Sequence, residues 1–170
     1  TLSELAKLCA DGEETMQIGK TDTLIHFKLG KREIVSRLLA GVYPDYSAVL
    51  PTENYNRFRV GRDMIFPAVK RVALMADEKQ HAIKLEIGEG ELHISSQTSE
   101  IGEAGETVPV DYSGEKITAG FNAAYLNDFF SAVEEDEILF EFKSGETQTQ
   151  LSTTTAFLDR CVAVVMPMRF

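Results

Sequence analysis

The chain has 170 residues, 44% of them apolar and 26% charged, and carries a formal net charge of −10. That composition belongs to an ordinary globular protein with a sizeable core; it excludes a disordered tail, a membrane span, since no apolar run approaches the roughly 18 residues one needs, and tight nucleic-acid binding through the overall field. No signal peptide opens the chain, and Cys9 and Cys161, far apart and inside apolar patterns, read as small buried hydrophobes of a reducing compartment, so a cytoplasmic location is expected.

The first element is a helix. Thr1 and Glu4 have the spacing of a capping box, Leu2, Leu5, Leu8 and Cys9 form an apolar stripe, and Gly12 fits a C-terminal cap. Strands follow near Thr15 to Ile18, Thr23 to Leu29 and Glu33 to Leu39, and from Gly41 to Tyr55 the prolines Pro44 and Pro51 interrupt the pattern. A short strand from Phe58 to Gly61 then leads into a helix from about Arg62 to Ala76, with Ile65, Val69, Val72 and Ala76 on one face. Ala82 to Ile87 alternates as a strand, Gly88 to Gly90 turns into Leu92 and Ile94, and Glu106 to Tyr112 alternates through Val108 and Val110.

The same order of elements then begins again. Ile117 to Phe121 is a strand, Asn122 caps a helix carrying Leu126, Phe129, Phe130 and Val133, and strands follow at Ile138 to Phe142, Thr147 to Ser152 and Cys161 to Met166. A period of roughly 60 residues marks a duplicated supersecondary unit and not a short solenoid repeat. The expected fold class is α+β, built of helix plus antiparallel strand units. The N-terminal segment fits the same template without its first strand, which gives the look of a fragment. The expected division is half a domain at 1–41, a connector at 42–55 and a full domain at 56–170.

Candidate chemistry is sparse. His26, His81 and His93 lack a second ligand at metal-binding spacing, Gly88 to Gly90 precedes a strand and so is no phosphate loop, and Thr147, Thr149, Ser152 and Thr153 suit cross-strand pairing. No metal or cofactor is expected. Between Leu85 and Glu115 lie Glu86, Glu89, Glu91, Glu100, Glu103, Glu106, Asp111 and Glu115 with neither lysine nor arginine, a block that suits an acidic edge facing a basic partner. The closing run Val164, Val165, Met166, Pro167, Met168, Arg169 and Phe170 is apolar and Met-rich; Val162, Val164 and Met166 could finish a core strand, or the run could form a docking surface. Two functions can be read from these residues alone: a small α+β enzyme using Glu100, Glu103 and Asp111 as acid and base, and a protein-interaction module unconnected with DNA.

The tail from Val164 to Arg169, with Tyr43, Pro44, Asp45 and Tyr46 and with Gly120, Phe121 and Asn122, resembles the bacterial sliding clamp family, the beta subunit of DNA polymerase III. Three separated motifs occur in order on a repeat of the right kind, and the resemblance covers the whole chain. It implies a DNA clamp fold and a non-catalytic processivity factor, closed as a homodimeric ring around duplex DNA without sequence preference. It also implies a cytoplasmic, nucleoid-associated protein with no membrane contact. Its partners would be the replicative polymerase alpha subunit, the clamp loader delta subunit, repair polymerases and mismatch-repair proteins, all bound through short peptide motifs. Pro44, Val49, Asn122, Tyr125, Val164, Val165, Met166, Pro167, Met168 and Arg169 match the family's peptide pocket. Leu74, Met75, Glu100, Glu103 and Glu106 match the dimer interface, and Lys7, Lys70 and Arg71 lie on the helix faces that line the ring. Ala48 replaces a basic residue of a well-known member and Gln80 a phenylalanine, which leaves those two positions little to contribute.

Overall fold

The computed structural model describes residues 1–9, 15–98, 102–153 and 161–169, so Gly12, Glu100 and Phe170 lie outside the described residues. Two compact units divide the chain, Thr1–Pro44 and Asp45–Phe170.

In the smaller unit, helix α1 (Leu2–Cys9) precedes strands β1 (Met16–Lys20), β2 (Leu24–Leu29) and β3 (Arg32–Arg37), which pair antiparallel in that order. Leu5 and Phe27 are its buried apolar residues. The expected capping box does not form. Thr1 Oγ1 instead lies 2.9 Å from Ser36 Oγ on β3, and the Glu4 carboxylate accepts from Lys7 Nζ at 2.8 Å. A hydroxyl and a charged amine compete successfully with the helix's own N–H groups. Leu2 and Cys9, expected in the apolar stripe, are exposed.

The larger unit opens with a one-turn 3-10 helix, Tyr46–Val49, capped by Asp45 Oδ1, which accepts from Ser47 N at 3.0 Å. There follow β4 (Asn56–Gly61), α2 (Arg62–Ala73), β5 (Ala82–Gly88), β6 (Glu91–Thr98) and β7 (Gly102–Pro109). The second set is β8 (Ile117–Asn122), α3 (Ala123–Ala132), β9 (Glu137–Phe142), β10 (Thr149–Thr153) and β11 (Val162–Val165). One antiparallel sheet runs β7-β6-β5-β8 and the other β11-β10-β9-β4. Each sheet therefore takes three strands from one repeat and the first strand of the other, so neither repeat can complete its sheet alone.

Equivalent hydrogen bonds mark the internal symmetry. Arg62 N donates to Asp136 O at 2.7 Å where α2 begins, and Ala123 N donates to His81 O at 2.8 Å where α3 begins. Asp111 N donates to Arg59 O at 3.2 Å, and Met168 N donates to Gly120 O at 2.8 Å, each joining the end of one sheet to the first strand of the other.

Between sheets and helices lies one core. Phe58, Phe130 and Phe140 are fully buried, Phe58 stacks on Phe140 at 4.7 Å between ring centroids, and Phe66 of α2 meets Phe130 of α3 edge-on at 5.8 Å. Burial of each such ring contributes about 2–3 kcal/mol. Two boundaries differ from the sequence pattern. Helix α2 stops at Ala73, because Leu74, Met75 and Ala76 close with tighter i to i−3 bonds, although Ala76 stays buried. Strand β7 starts at Gly102, where residues 102–105 pair with 95–98, and ends at Pro109, while Val110 and Tyr112 remain buried beyond it.

Candidate functional site

Strand β11 decides how the tail is used. Its Thr149–Val165 and Leu151–Ala163 pairs place Val165 and Ala163 on the core side of the sheet, and Val165 is only 5% exposed. The period of two then turns Val162, Val164 and Met166 outward. Val162 and Met166 are exposed, Met166 by 63%, and Val164 is half-buried. The idea that these three finish a core strand is thus overturned: they form an apolar row on the opposite face. Beyond β11, Pro167 and Met168 are half-buried and Arg169 is exposed. The bond from Met168 N to Gly120 O ties this segment to β8.

Directly after β8, Asn122 caps α3, its Oδ1 accepting from Ala124 N at 2.8 Å. Its side chain therefore positions the helix. Tyr125, one turn into α3, is 61% exposed. The structure brings Asn122, Tyr125 and the β11 tail together through β8 and α3. Val49 lies exposed on the 3-10 turn, and Pro44, in the smaller unit, is exposed there.

On α2, Lys70 and Arg71 both face solvent, but each is already engaged. Lys70 Nζ sits 3.9 Å from the centroid of the Phe66 ring, and the Arg62 guanidinium lies 5.3 Å from the same ring. Arg62 Nε also donates to Phe130 O at 2.8 Å, satisfying a carbonyl near the end of α3. Arg71 makes a bidentate pair with Glu106 of β7. Its guanidinium holds the Glu106 carboxyl below the usual carboxylate range, opposed by partial desolvation. Sequence reading had placed Arg71 and Glu106 on different surfaces. The arginine–aromatic–lysine ladder at 62, 66 and 70 was visible as i, i+4 spacing and was not singled out.

Glu103 and Glu106 lie on opposite faces of β7. Glu106, like Val108, is on the helix side opposite Ile94, whereas Glu103 points outward and lines a groove of about 670 Å³ with Lys84, Glu86 and His93. Asp111 lines a separate cleft with Arg57 and Arg59. Of the carboxylates considered for acid and base work, Glu103 and Asp111 are thus exposed and apart, and Glu100 lies outside the described residues. Among the described residues no group of three His, Cys, Asp or Glu side chains could hold a metal ion, and no helix is long and apolar enough to cross a membrane. Leu74 is 78% exposed at the end of α2, with Met75 half-buried beside it. Lys7 on α1 is held by Glu4. Both cysteines, expected to be buried, are exposed free thiols: Cys9 is the last residue of α1, and Cys161 lies just before β11.

Comparisons with known proteins agree with this architecture. The sequence profile described as DNA polymerase III beta subunit, C-terminal domain, matches residues 47–169. The chain is 32% identical over 167 residues to a beta sliding clamp of Pseudomonas putida, covering 98% of the chain and 45% of that protein. It is 31% identical over 149 residues to the beta sliding clamp of Caulobacter vibrioides, covering 88% of the chain and 40% of that protein. Among solved structures, the Caulobacter crescentus beta sliding clamp superposes with a TM-score of 0.91 at 29% identity, covering all of this chain and 45% of that one. A sliding clamp from Bartonella birtlesii, solved bound to griselimycin, gives 0.89 at 28% identity, covering 99% of this chain and 45% of that one. The chain spans less than half the length of the relatives it matches. By profile and by fold, the chain belongs to the DNA polymerase III beta subunit family.

Proposed function

We propose that this chain is part of a DNA replication processivity factor, a sliding clamp that encloses duplex DNA in a dimeric ring and tethers polymerases through a peptide dock. Topological enclosure turns dissociation of a polymerase into a local event at high effective concentration, which needs a ring and a dock and no bond chemistry. The observation that carries this reading is the β11 tail in a chain of this family: its outward apolar row of Val162, Val164 and Met166, with Tyr125 on the neighbouring helix, offers anchors to an extended peptide. The α2 face supports weak phosphate contact, with a few cations on a body of net charge −10.

The replicative polymerase alpha subunit, the clamp loader delta subunit, repair polymerases and mismatch-repair proteins are the expected occupants of the dock. Leu74, Met75, Glu103 and Glu106 are the expected ring contacts, and the setting is cytoplasmic and nucleoid-associated. The test is retention on DNA. A full-length subunit carrying this sequence, loaded on nicked circular DNA, should survive a high-salt wash and be released when the circle is cut. Loss from closed and cut circles at the same rate would overturn the reading.

A further inference from the structure

The two repeats of the larger unit act as controls for one another. Each sheet is joined to the other at a seam, through Asp111 N to Arg59 O in one place and Met168 N to Gly120 O in the other. At the second seam, residues 143–148 connect β9 to β10 and fold over the junction. Gly145 in that connection lies so close to the Thr118 carbonyl that a Cβ there would stand 1.8 Å from the oxygen. The matching connection at the first seam, between β5 and β6, is only Glu89 and Gly90, and a Cβ at Gly90 would meet nothing within 4 Å. Arg57 occupies in β4 the place of Thr118 in β8, two residues before the seam bond. A cleft of about 240 Å³ remains there, lined by Arg57, Phe58, Arg59, Asp111 and Leu139.

The walls of this cleft carry unmet hydrogen-bonding capacity. The bond from Asp111 N to Arg59 O shows that Arg59 turns its main chain away from β9, and in an antiparallel ladder Arg57, two residues back, turns the same way. Among the described residues, the main-chain N–H and C=O of Arg57 have no partner. Neither the Arg57 nor the Arg59 guanidinium pairs with a carboxylate there. Two exposed, unpaired guanidiniums side by side make a local positive site on a protein of net charge −10.

We infer that the open seam is a second docking site, independent of the tail, for a short extended acidic segment of a partner protein. The segment's main chain bonds to Arg57 as an added strand would. Its carboxylates pair with Arg57 and Arg59 in charge-assisted hydrogen bonds, and Asp111 accepts a main-chain N–H. A nucleic acid is a poorer occupant, because two cations offer little counterion release against the acidic body.

The test is an amide-resolved NMR titration of the whole chain with an acetylated, amidated hexapeptide alternating glutamate and valine. Saturable shifts are expected at the amides of Arg57, Phe58, Arg59 and Asp111, and the R57E/R59E double variant should weaken binding at least tenfold. The lysine-for-valine control keeps its glutamates and should still bind, whereas a lysine-for-glutamate peptide should not shift these amides. Should R57E/R59E fail to fold by circular dichroism, R57Q/R59Q reads the same loss. The site is overturned if sodium acetate at the same carboxylate concentration reproduces the shifts, if they centre on β7 or the tail, if a short oligothymidylate competes for the arginines more tightly than the peptide, or if the variants bind unchanged.

Discussion

Arg71 and Glu106 face one another as a bidentate pair, Nε to Oε1 at 2.5 Å and Nη2 to Oε2 at 2.6 Å, tying the last turn of α2 to the terminal strand of its sheet. The contact links the helix face proposed to meet DNA with the strand edge proposed to meet another subunit. Any basic side chain that reaches Glu106 from a docked strand competes with Arg71 and frees it.

The pair makes stability depend on pH in a defined direction. The Glu106 carboxyl is lowered, first by the hydrogen bond from Arg71 and then by its charge. Its folded pKa lies below the unfolded one, so its contribution is present above about pH 4.3 and is lost as pH falls through the folded value. Glu106→Gln should therefore lower Tm slightly at neutral pH, with a difference that shrinks as the carboxylate becomes protonated in acid and in high salt. A Tm difference that is the same at both ends of a pH series of thermal melts would remove the pair from the stability of the fold.

Lys70 and Arg71 divide the helix-face question. In a full-length subunit, replacing both with alanine should shorten residence on DNA at low salt while leaving Tm nearly unchanged, because exposed cations contribute little to folding. Glu106→Gln should act the other way on residence, since it releases Arg71. Stopped-flow dissociation from labelled duplex at two salt concentrations measures both. Equal residence for all three proteins would show that α2 does not touch the phosphates.

Much of this fold was legible because its signals are local. The alternation of Ile83, Leu85 and Ile87, the stripe of Ile65, Val69 and Val72, and the Asn122 cap each report on neighbours a few residues away, and all are seen. What failed depends on distant partners. Thr1 reaches Ser36 and not its own helix, Arg71 reaches Glu106, and the phase of β11 is set by the register of Val165 against Thr149. A run in which Val162, Val164, Val165 and Met166 are all apolar cannot announce which face is inward, and only the pairing decides it. The cysteines failed for a related reason, since an apolar neighbourhood in sequence is not burial in space.

Two backbone positions give a matched test of the symmetry. His81, whose carbonyl oxygen accepts from Ala123 N at the start of α3, has a φ of +49° in the left-handed region. His81→Gly should raise stability by up to about 1 kcal/mol by relieving that conformation. Gly145→Ala should lower it by about 1–3 kcal/mol, because the new methyl collides with the Thr118 carbonyl oxygen and no flexible side chain can yield. Urea unfolding of both variants decides the point; an unaffected Gly145→Ala would mean that the 143–148 connection does not cover its seam.

The tail offers the sharpest separation of stability from binding, because adjacent residues face opposite ways. Val165 points into the core and Met166 away from it. Val165→Ala should cost about 1–3 kcal/mol through lost burial and a residual cavity. Met166→Ala removes a side chain that is 63% exposed and should change stability by less than about 0.5 kcal/mol. For binding the order reverses: an extended peptide bearing a large apolar residue uses Met166 as an anchor, so Met166→Ala should weaken it at least tenfold, as should Tyr125→Ala. Fluorescence anisotropy with such a labelled peptide, alongside urea unfolding of the same proteins, tests both halves. If Met166→Ala destabilises the fold as much as Val165→Ala, or binds peptide as well as the unaltered chain does, then the outward row of β11 is packing and not a dock.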